Sequence, residues 1–394
     1  MPFSTTHHRT FRWSALILLA AAALVLLSLS ACGGSEPTPT VAVESLATRT
    51  SRPTFTPVST DTPLPTDTLA PTLTPLPPTV TPTPTVSPTP TVDPNLNPLT
   101  GLSVSDPALL YRRVLAVRIG NDTTARPQEG LGEAEIVYEE IMDGWTLTRF
   151  TALFLANNVE RIRPIRSARL STLQIVPQYD AAAVHSGASD HIRWLISQAG
   201  FVDLDEYYNQ TPYSVLSDQD WRSRMYTSVQ RLHQYLVETG QESTTLVKGY
   251  TFDATAPSGQ TASSIHIPYP QLCVVDWAYD VASGRYLRSV QGAAHTDGLT
   301  GEQIGADNVV IFYTEHKATD IVEDSLGSTA IDIVMTGEGR AQVCRDGVVL
   351  EARWARMATN EPIQYYDAAG KIIPLKPGQT WIQLVPTDYA VEIN

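Results

Sequence analysis

The chain has little lysine, little cysteine and no catalytic signature. Only four of its 394 residues are lysine, and none lies before Lys248, so arginine carries nearly all the positive charge. A codon bias toward arginine accounts for the global ratio but not for local clusters. There are three cysteines. With no CxxC or Cys/His spacing among them, no zinc site or other metal is expected. There is no GxSxG, SxxK, HExxH or P-loop, and no cofactor is expected. The glycine turns "SGAS" (186–189) and "GEGRAQ" (337–342) are too weak to be phosphate loops. Positive charge is short overall. The formal net charge is −14, and residues 95–394 set 36 acids against 23 bases. That balance argues against nucleic acid as a partner. No internal repeat is visible.

The N-terminus carries what the rest lacks. A basic stretch (His7, His8, Arg9, Arg12) precedes the apolar run "SALILLAAAALVLLSL" (14–29). That run has the length of a signal-peptide core and is short for a membrane span, which needs about 20 residues. It ends in "LSAC" (29–32), followed by Gly33, which resembles the lipobox of bacterial lipoproteins. The expectation is a lipoprotein signal peptide over 1–31 and lipidation of Cys32. Acyl chains contribute about 0.8 kcal/mol per buried methylene, enough in combination for a stable membrane anchor. Residues 35–94 hold 15 Pro and 18 Thr. Such a segment cannot build a core. A disordered Thr/Pro-rich linker is therefore expected over 32–94, reaching at most on the order of 190 Å at about 3.1 Å per residue.

About 300 residues remain. "VLAVRIG" (114–120), "AEIVYEEI" (134–141), "LTRFTALFLA" (147–156) and "YDAAAVHSG" (179–187) are rich in β-branched and aromatic residues and predict strands. "HIRWLISQAG" (191–200) and "SVQRLHQYLVETG" (228–240) place apolar residues at helical spacing and end in glycine, so they predict helices. After Lys248, short strand patterns alternate with turn signals such as Ser283-Gly284 and Asp346-Gly347, and no useful helix pattern appears. The fold class is α+β: a mixed α/β N-terminal domain (95–247) followed by a mostly β C-terminal domain (248–394). Cys273 and Cys344 either pair as a disulfide or remain two buried thiols. Trp354 and Trp381 are expected in the core.

Ordered motifs then line up with a known family. The first domain contributes "NPLTGL" (97–102), "ARPQEGL" (125–131), "AEIVYEE" (134–140), "TRFTALF" (148–154), "RPIRSAR" (163–169), "YDAAAVHSG" (179–187) and "YTS" (226–228). The second contributes "YD…GRYLR" (279–288), "HTDGLTGEQIGADNVV" (295–310), "DGVVLEARW" (346–354) and "GQTWIQLVP" (378–386). Together they resemble the YerB-like bacterial lipoproteins, a two-domain family of unknown biochemical function. The resemblance implies an α/β first domain, a β-rich second domain and an extracytoplasmic, membrane-anchored address. It brings no reaction. Family members often carry His-Asn shortly before "YTS"; here Ser223-Arg224-Met225 stand there.

The segment "RIRPIRSARLS" (161–171) gathers Arg161, Arg163, Arg166 and Arg169 in nine positions of an acidic protein. It leads toward a helix expected to start near Ser167, a good N-cap. Cations crowded at a helix N-terminus are unfavourable without an anion nearby. That anion is either an internal carboxylate (Glu139, Glu140 or Asp180) or a ligand held by guanidinium forks. Candidate ligand-binding residues are Arg149, Arg163, Arg166, Arg169 and Tyr226. Trp145 and Tyr138 are further aromatics that can stack on sugar faces. Candidate catalytic residues are Glu139 or Asp180 as general acid/base and His185 as proton shuttle. His295, Asp297 and Thr300 form a loop cluster suited first to bracing a turn and second to holding a cation. Two functions follow. One is a non-catalytic cell-envelope binding protein that recognises an anionic ligand, a wall glycan or a peptide. The other is a peptidoglycan hydrolase or transferase using Glu139, Asp180 and His185.

Overall fold

The computed structural model describes residues 94–394. The signal segment, Cys32 and all but the last residue of the linker lie outside the described residues. In the first half the strands are β1 (Leu115–Gly120), β2 (Ile136–Ile141), β3 (Thr148–Phe154), β4 (Ala182–His185) and β5 (Val202–Asp205). The helices are α1 (Leu170–Ile175), α2 (Asp190–Gln198) and α3 (Val229–Glu238). The second half supplies β6 (Ser264–Ile267), β7 (Val275–Asp280), β8 (Arg285–Val290), β9 (Asn308–Thr314), β10 (His316–Val322), β11 (Thr329–Ile333), β12 (Gly337–Arg345), β13 (Val348–Arg356), β14 (Gln364–Tyr366) and β15 (Thr380–Pro386). Strands dominate and helices are few, as the sequence patterns predict.

Both halves build one sheet. Its order is β14-β13-β12-β9-β15-β2-β3-β1-β4-β5, with the short strand Gln260–Thr261 pairing to β13 as an eleventh member. The seam is β15, which runs parallel to β9 on one side and to β2 on the other; Thr380 faces both Asn308 and Ile136. Strands β1, β2, β3, β9 and β15 are buried along their whole length. Burial on both faces fits near-continuous apolar runs such as "LAVRIG" and "NVVIFYT".

Each face has its own cover. On one, Trp277 of β7 meets Trp381 edge-on at 5.2 Å, and Phe150 meets the same indole at 5.5 Å. Strands β6, β7 and β8 belong to a separate six-stranded sheet. On the other face lie α1, the single-turn helix Val176–Tyr179 and the β10–β11 hairpin. The Tyr138 hydroxyl reaches the Tyr179 hydroxyl there at 2.7 Å.

Two local expectations are corrected. The helix after the arginines begins at Leu170 with Arg169 at its N-cap, not near Ser167. Ser167 instead donates its hydroxyl to the Ser186 carbonyl at 3.2 Å, because the segment is bonded to β1 at Arg118 and to the chain just after β4 at Ser186 and Gly187. Asp180 is not on a strand. It holds a left-handed conformation (φ 47°) in the turn before β4.

Candidate functional site

Glu139 and Glu140 are adjacent on β2, and successive side chains of a strand point to opposite faces. The register carries this out: Glu139 faces Phe150 and Glu140 faces Arg149 across the β2–β3 ladder. The two carboxylates therefore enter two separate polar clusters.

The Glu139 cluster joins the halves. Both carboxylate oxygens accept from Arg288 Nη2 of β8, at 2.9 and 3.0 Å. Thr148 Oγ1 donates at 2.8 Å and Asn121 Nδ2 at 3.3 Å. Glu139 and Arg288 have no solvent exposure. Arg288 is also wrapped by rings: its guanidinium carbon lies 5.1 Å from the Trp381 centroid, 5.5 Å from Phe150 and 5.9 Å from Trp277. Cation–π contact of this kind offsets part of its desolvation cost. Arg288 Nη1 also contacts His295 Nδ1. On the far side His295 Nε2 and Gln128 Oε1 are 2.7 Å apart. Burial first, then the charges of Arg288 and Arg126, push the His295 pKa well below its ordinary value. The ring is thus neutral, donating from Nε2 and accepting at Nδ1. Cys273 Sγ completes the cluster, 3.4 Å from both the Thr148 amide and Arg126 Nη2. Asn121, Gln128, Thr148 and Arg288 escaped sequence reasoning. The readable signal for Arg288 was the alternation along "RYLRSV", which buries Tyr286, Arg288 and Val290.

The arginine cluster lies on the opposite face. Arg118 pairs with Glu140 and donates to Thr151 Oγ1 at 2.5 Å. Arg149 donates from Nη1 to the Ser167 carbonyl at 2.7 Å. Burial, and then repulsion from Arg169, Arg166 and Arg118, push its pKa well down. Arg169 binds Asp143 at 2.5 Å, with Glu323 beyond β10 at 3.5 Å. Burial pushes the Glu323 carboxyl up. Arg166 reaches Asp122 at 3.4 Å and lies against Gly120, where a Cβ would stand 2.8 Å from its Cγ. Arg163 binds Glu129 at 2.7 Å, and Arg161 binds the same carboxylate. Every arginine of the segment 161–169 thus has a carboxylate partner within the chain. Tyr226 belongs to the two-residue strand Met225–Tyr226 beside this segment, held there by the bond from the Ile165 amide to the Met225 carbonyl.

The remaining candidates do not converge. Asp180 is an exposed turn residue paired with Arg113 at 3.0 Å. His185 ends β4 fully buried, with Nε2 2.7 Å from Asp203 Oδ1 and Nδ1 3.0 Å from the Gly187 carbonyl. Four residues separate them, and β4 from Ala182 to His185 alone spans about 10 Å at the rise of a strand. Glu139 lies on another strand, in the cluster with Arg288. Asp297 braces a turn, accepting from the amides of Gly130, Gly132 and Leu299 at 3.1, 2.8 and 2.8 Å. Among the described residues no group of three His, Cys, Asp or Glu is placed to hold a metal ion. Cys273 and Cys344 are both free and buried, and burial raises the Cys344 thiol pKa. Trp354 and Trp381 are core residues; Trp354 stacks on Phe312 at 4.5 Å. Trp145 is partly exposed beside His316.

Fold and clusters together define a class: a strand-rich protein in which two sequence modules close one sheet over a buried ion pair. The chain belongs to the family described as "Protein of unknown function (DUF3048)"; its N-terminal domain model matches residues 99–242 and its C-terminal domain model residues 265–382. It is 29% identical over 310 residues to "Putative lipoprotein YerB" of Bacillus subtilis (strain 168), covering 75% of this chain and 88% of that protein. It also resembles the crystal structure of the YerB protein from Bacillus subtilis, with a TM-score of 0.66 and 26% identity, over 75% of this chain and 98% of that one.

Proposed function

We infer that this chain is an extracytoplasmic lipoprotein whose folded part is a non-catalytic binding module of the cell envelope. The signal peptide ends at residue 31, lipidated Cys32 anchors the chain to the membrane, and the segment to residue 94 tethers the body formed by the 95–247 and 248–394 modules. The name of the Bacillus subtilis relative, "Putative lipoprotein YerB", supports the address. No helix among the described residues is long and apolar enough to cross a membrane.

The observation that carries the binding reading is the state of Glu139. A general acid/base must reach a substrate, yet this carboxylate is sealed from solvent and its oxygens are taken by Arg288, Thr148 and Asn121. For ligand contact in the arginine cluster the strongest member is Arg166. Its nearest carboxylate is 3.4 Å away, a fifth of its side chain is exposed, and Trp221 lies beside its guanidinium at 5.9 Å. An anionic ligand, or a wall glycan carrying an acid group, displaces Asp122 at this point. Arg163 and Arg169, tied to Glu129 and Asp143, shape the wall behind it.

Two measurements test this. Metabolic labelling with an alkyne fatty acid should tag the membrane-fraction protein, and Cys32→Ala should abolish both the label and the membrane retention; a retained label defeats the anchor. The purified full chain should sediment with peptidoglycan without releasing soluble fragments, and Arg166→Ala should weaken sedimentation. Fragment release that stops in Glu139→Gln or His185→Ala would establish the hydrolase instead.

A further inference from the structure

A second surface has the properties of a binding site and uses neither the Glu139 cluster nor the arginine cluster. Helix α2 is amphipathic. Ile192 and Ile196 face inward, while Trp194 projects outward with 58% of its surface exposed. Strand β5 is the edge of the main sheet, and the turn after it presents Tyr207 and Tyr208, 64% and 68% exposed. These rings share the wall of one open cavity of about 920 Å³ with Asp190, Arg193 and Asp203. Large exposed aromatics gathered in one concavity mark a binding surface more often than an ordinary solvated face.

The platform is held in place before any ligand arrives. Arg193 Nε binds Asp205 Oδ2 at 2.8 Å, and Asp205 is fully buried. The same carboxylate accepts from the Gly187 and Tyr207 amides at 2.9 and 3.1 Å. The Arg193 guanidinium carbon then lies 4.9 Å from the Tyr207 ring, and the two tyrosine rings stand at 84° to each other, 4.9 Å apart. Asp203 is fixed by His185 at 2.7 Å and keeps 31% of its side chain in solvent. Groups already ordered lose less freedom on binding.

We propose that this cavity is a saccharide-binding site. A pyranose offers an apolar C–H face and a rim of hydroxyls. The exposed rings match the first, and the carboxylates of Asp190 and Asp203, with the Arg193 guanidinium, match the second. The acidic lining and the acidic chain disfavour a polyphosphate backbone, and charged groups in the wall disfavour a lipid tail. A second groove of about 380 Å³, bordered by Arg113 and Asp180, shares Gly200 and Phe201 with this cavity. The ligand is therefore an oligosaccharide longer than a disaccharide, and Asp180 becomes a wall residue of its far end.

The test is calorimetric titration of the full chain with cellotetraose and with chitotetraose, each beside its disaccharide. At least one tetrasaccharide should bind, and more tightly than its disaccharide. Trp194→Ala and Tyr207→Ala should each weaken binding about tenfold, since each removes an exposed stacking face. Leu326→Ala, on the 90% exposed tip of the β10–β11 hairpin, should leave it unchanged. Binding should survive Cys32→Ala and Arg166→Ala, so loss of the anchor or of the anion contact is separable from loss of this site. The proposal is overturned if neither tetrasaccharide binds up to roughly 10 mM, if Trp194→Ala binds with unchanged affinity, or if free cell-wall peptides bind here in place of the sugars.

Discussion

Neighbouring positions 139 and 140 of one strand serve two different kinds of charge burial. On the Glu139 side one carboxylate meets one guanidinium in a fully buried pocket lined by Phe150, Trp277 and Trp381. On the Glu140 side the charge is shared among Arg118, Arg149, Arg166 and Arg169 and the acids Asp122, Glu140, Asp143 and Glu323, with Arg166 partly open to solvent. The first arrangement fixes two modules against each other. The second tolerates adjustment at Arg169, which has both Asp143 and Glu323 within reach. A buried pair with no alternative partner is costly to break.

The comparison is broken most directly at Arg288. Arg288→Ala leaves the Glu139 carboxylate buried without its cation, and a loss of about 4 kcal/mol in urea unfolding is expected. Glu139→Leu combined with Arg288→Met should recover most of that loss. Glu140→Gln keeps an oxygen beside Arg118, so a smaller loss of about 2 kcal/mol is expected. If Glu140→Gln costs more than Arg288→Ala, the contrast between the two faces fails.

Acidity sharpens the same contrast, with opposite signs on the two sides. The His295 pKa is depressed in the folded state. Its contribution is complete above the ordinary value of 6.5 and is lost as pH falls toward the depressed value. The Glu323 pKa is raised. Its contribution is complete below the ordinary value of 4.5 and is lost as pH rises through the raised one. Urea midpoints measured from pH 4 to 7.5 should therefore depend less steeply on acid in His295→Gln, while Glu323→Gln should gain stability relative to the native chain as pH rises. The smallest effect belongs to Arg161→Ala, about 0.5 kcal/mol or less, because Arg161 is 38% exposed and Glu129 keeps Arg163.

Local pattern made much of the fold legible. The β-branched runs at 114–120, 134–141 and 147–156 are strands, and the amphipathic stretches at 191–200 and 228–240 are helices, because each signal is contained within a few residues. What stayed hidden depends on distance along the chain. Arg288 meets Glu139 from 149 residues away, and no spacing rule reaches that far. The separation of Glu139 from Glu140 was readable from strand periodicity. Grouping both with the arginines overlooked that a strand sends adjacent side chains apart. The helix start was misplaced because Ser167 is a good cap by type, yet its hydroxyl is taken by Ser186. The surface rings of Trp194, Tyr207 and Tyr208 carried no sequence signal of their own; only folding brings α2 beside the turn after β5.

The position of β15 has a consequence for the order in which the protein can come together. This strand, residues 380–386, follows every other strand of the main sheet in sequence, yet it occupies the middle of the sheet between β9 and β2. A ribosome must make every other strand of this sheet before the central ladder can zip. Until then β2 and β9 each present an unpaired apolar edge, the kind of edge that invites pairing with other chains. Contacts this distant in sequence close slowly. The main sheet therefore closes only after all its other strands have been made, and a chain cut short before Thr380 should remain a chaperone client.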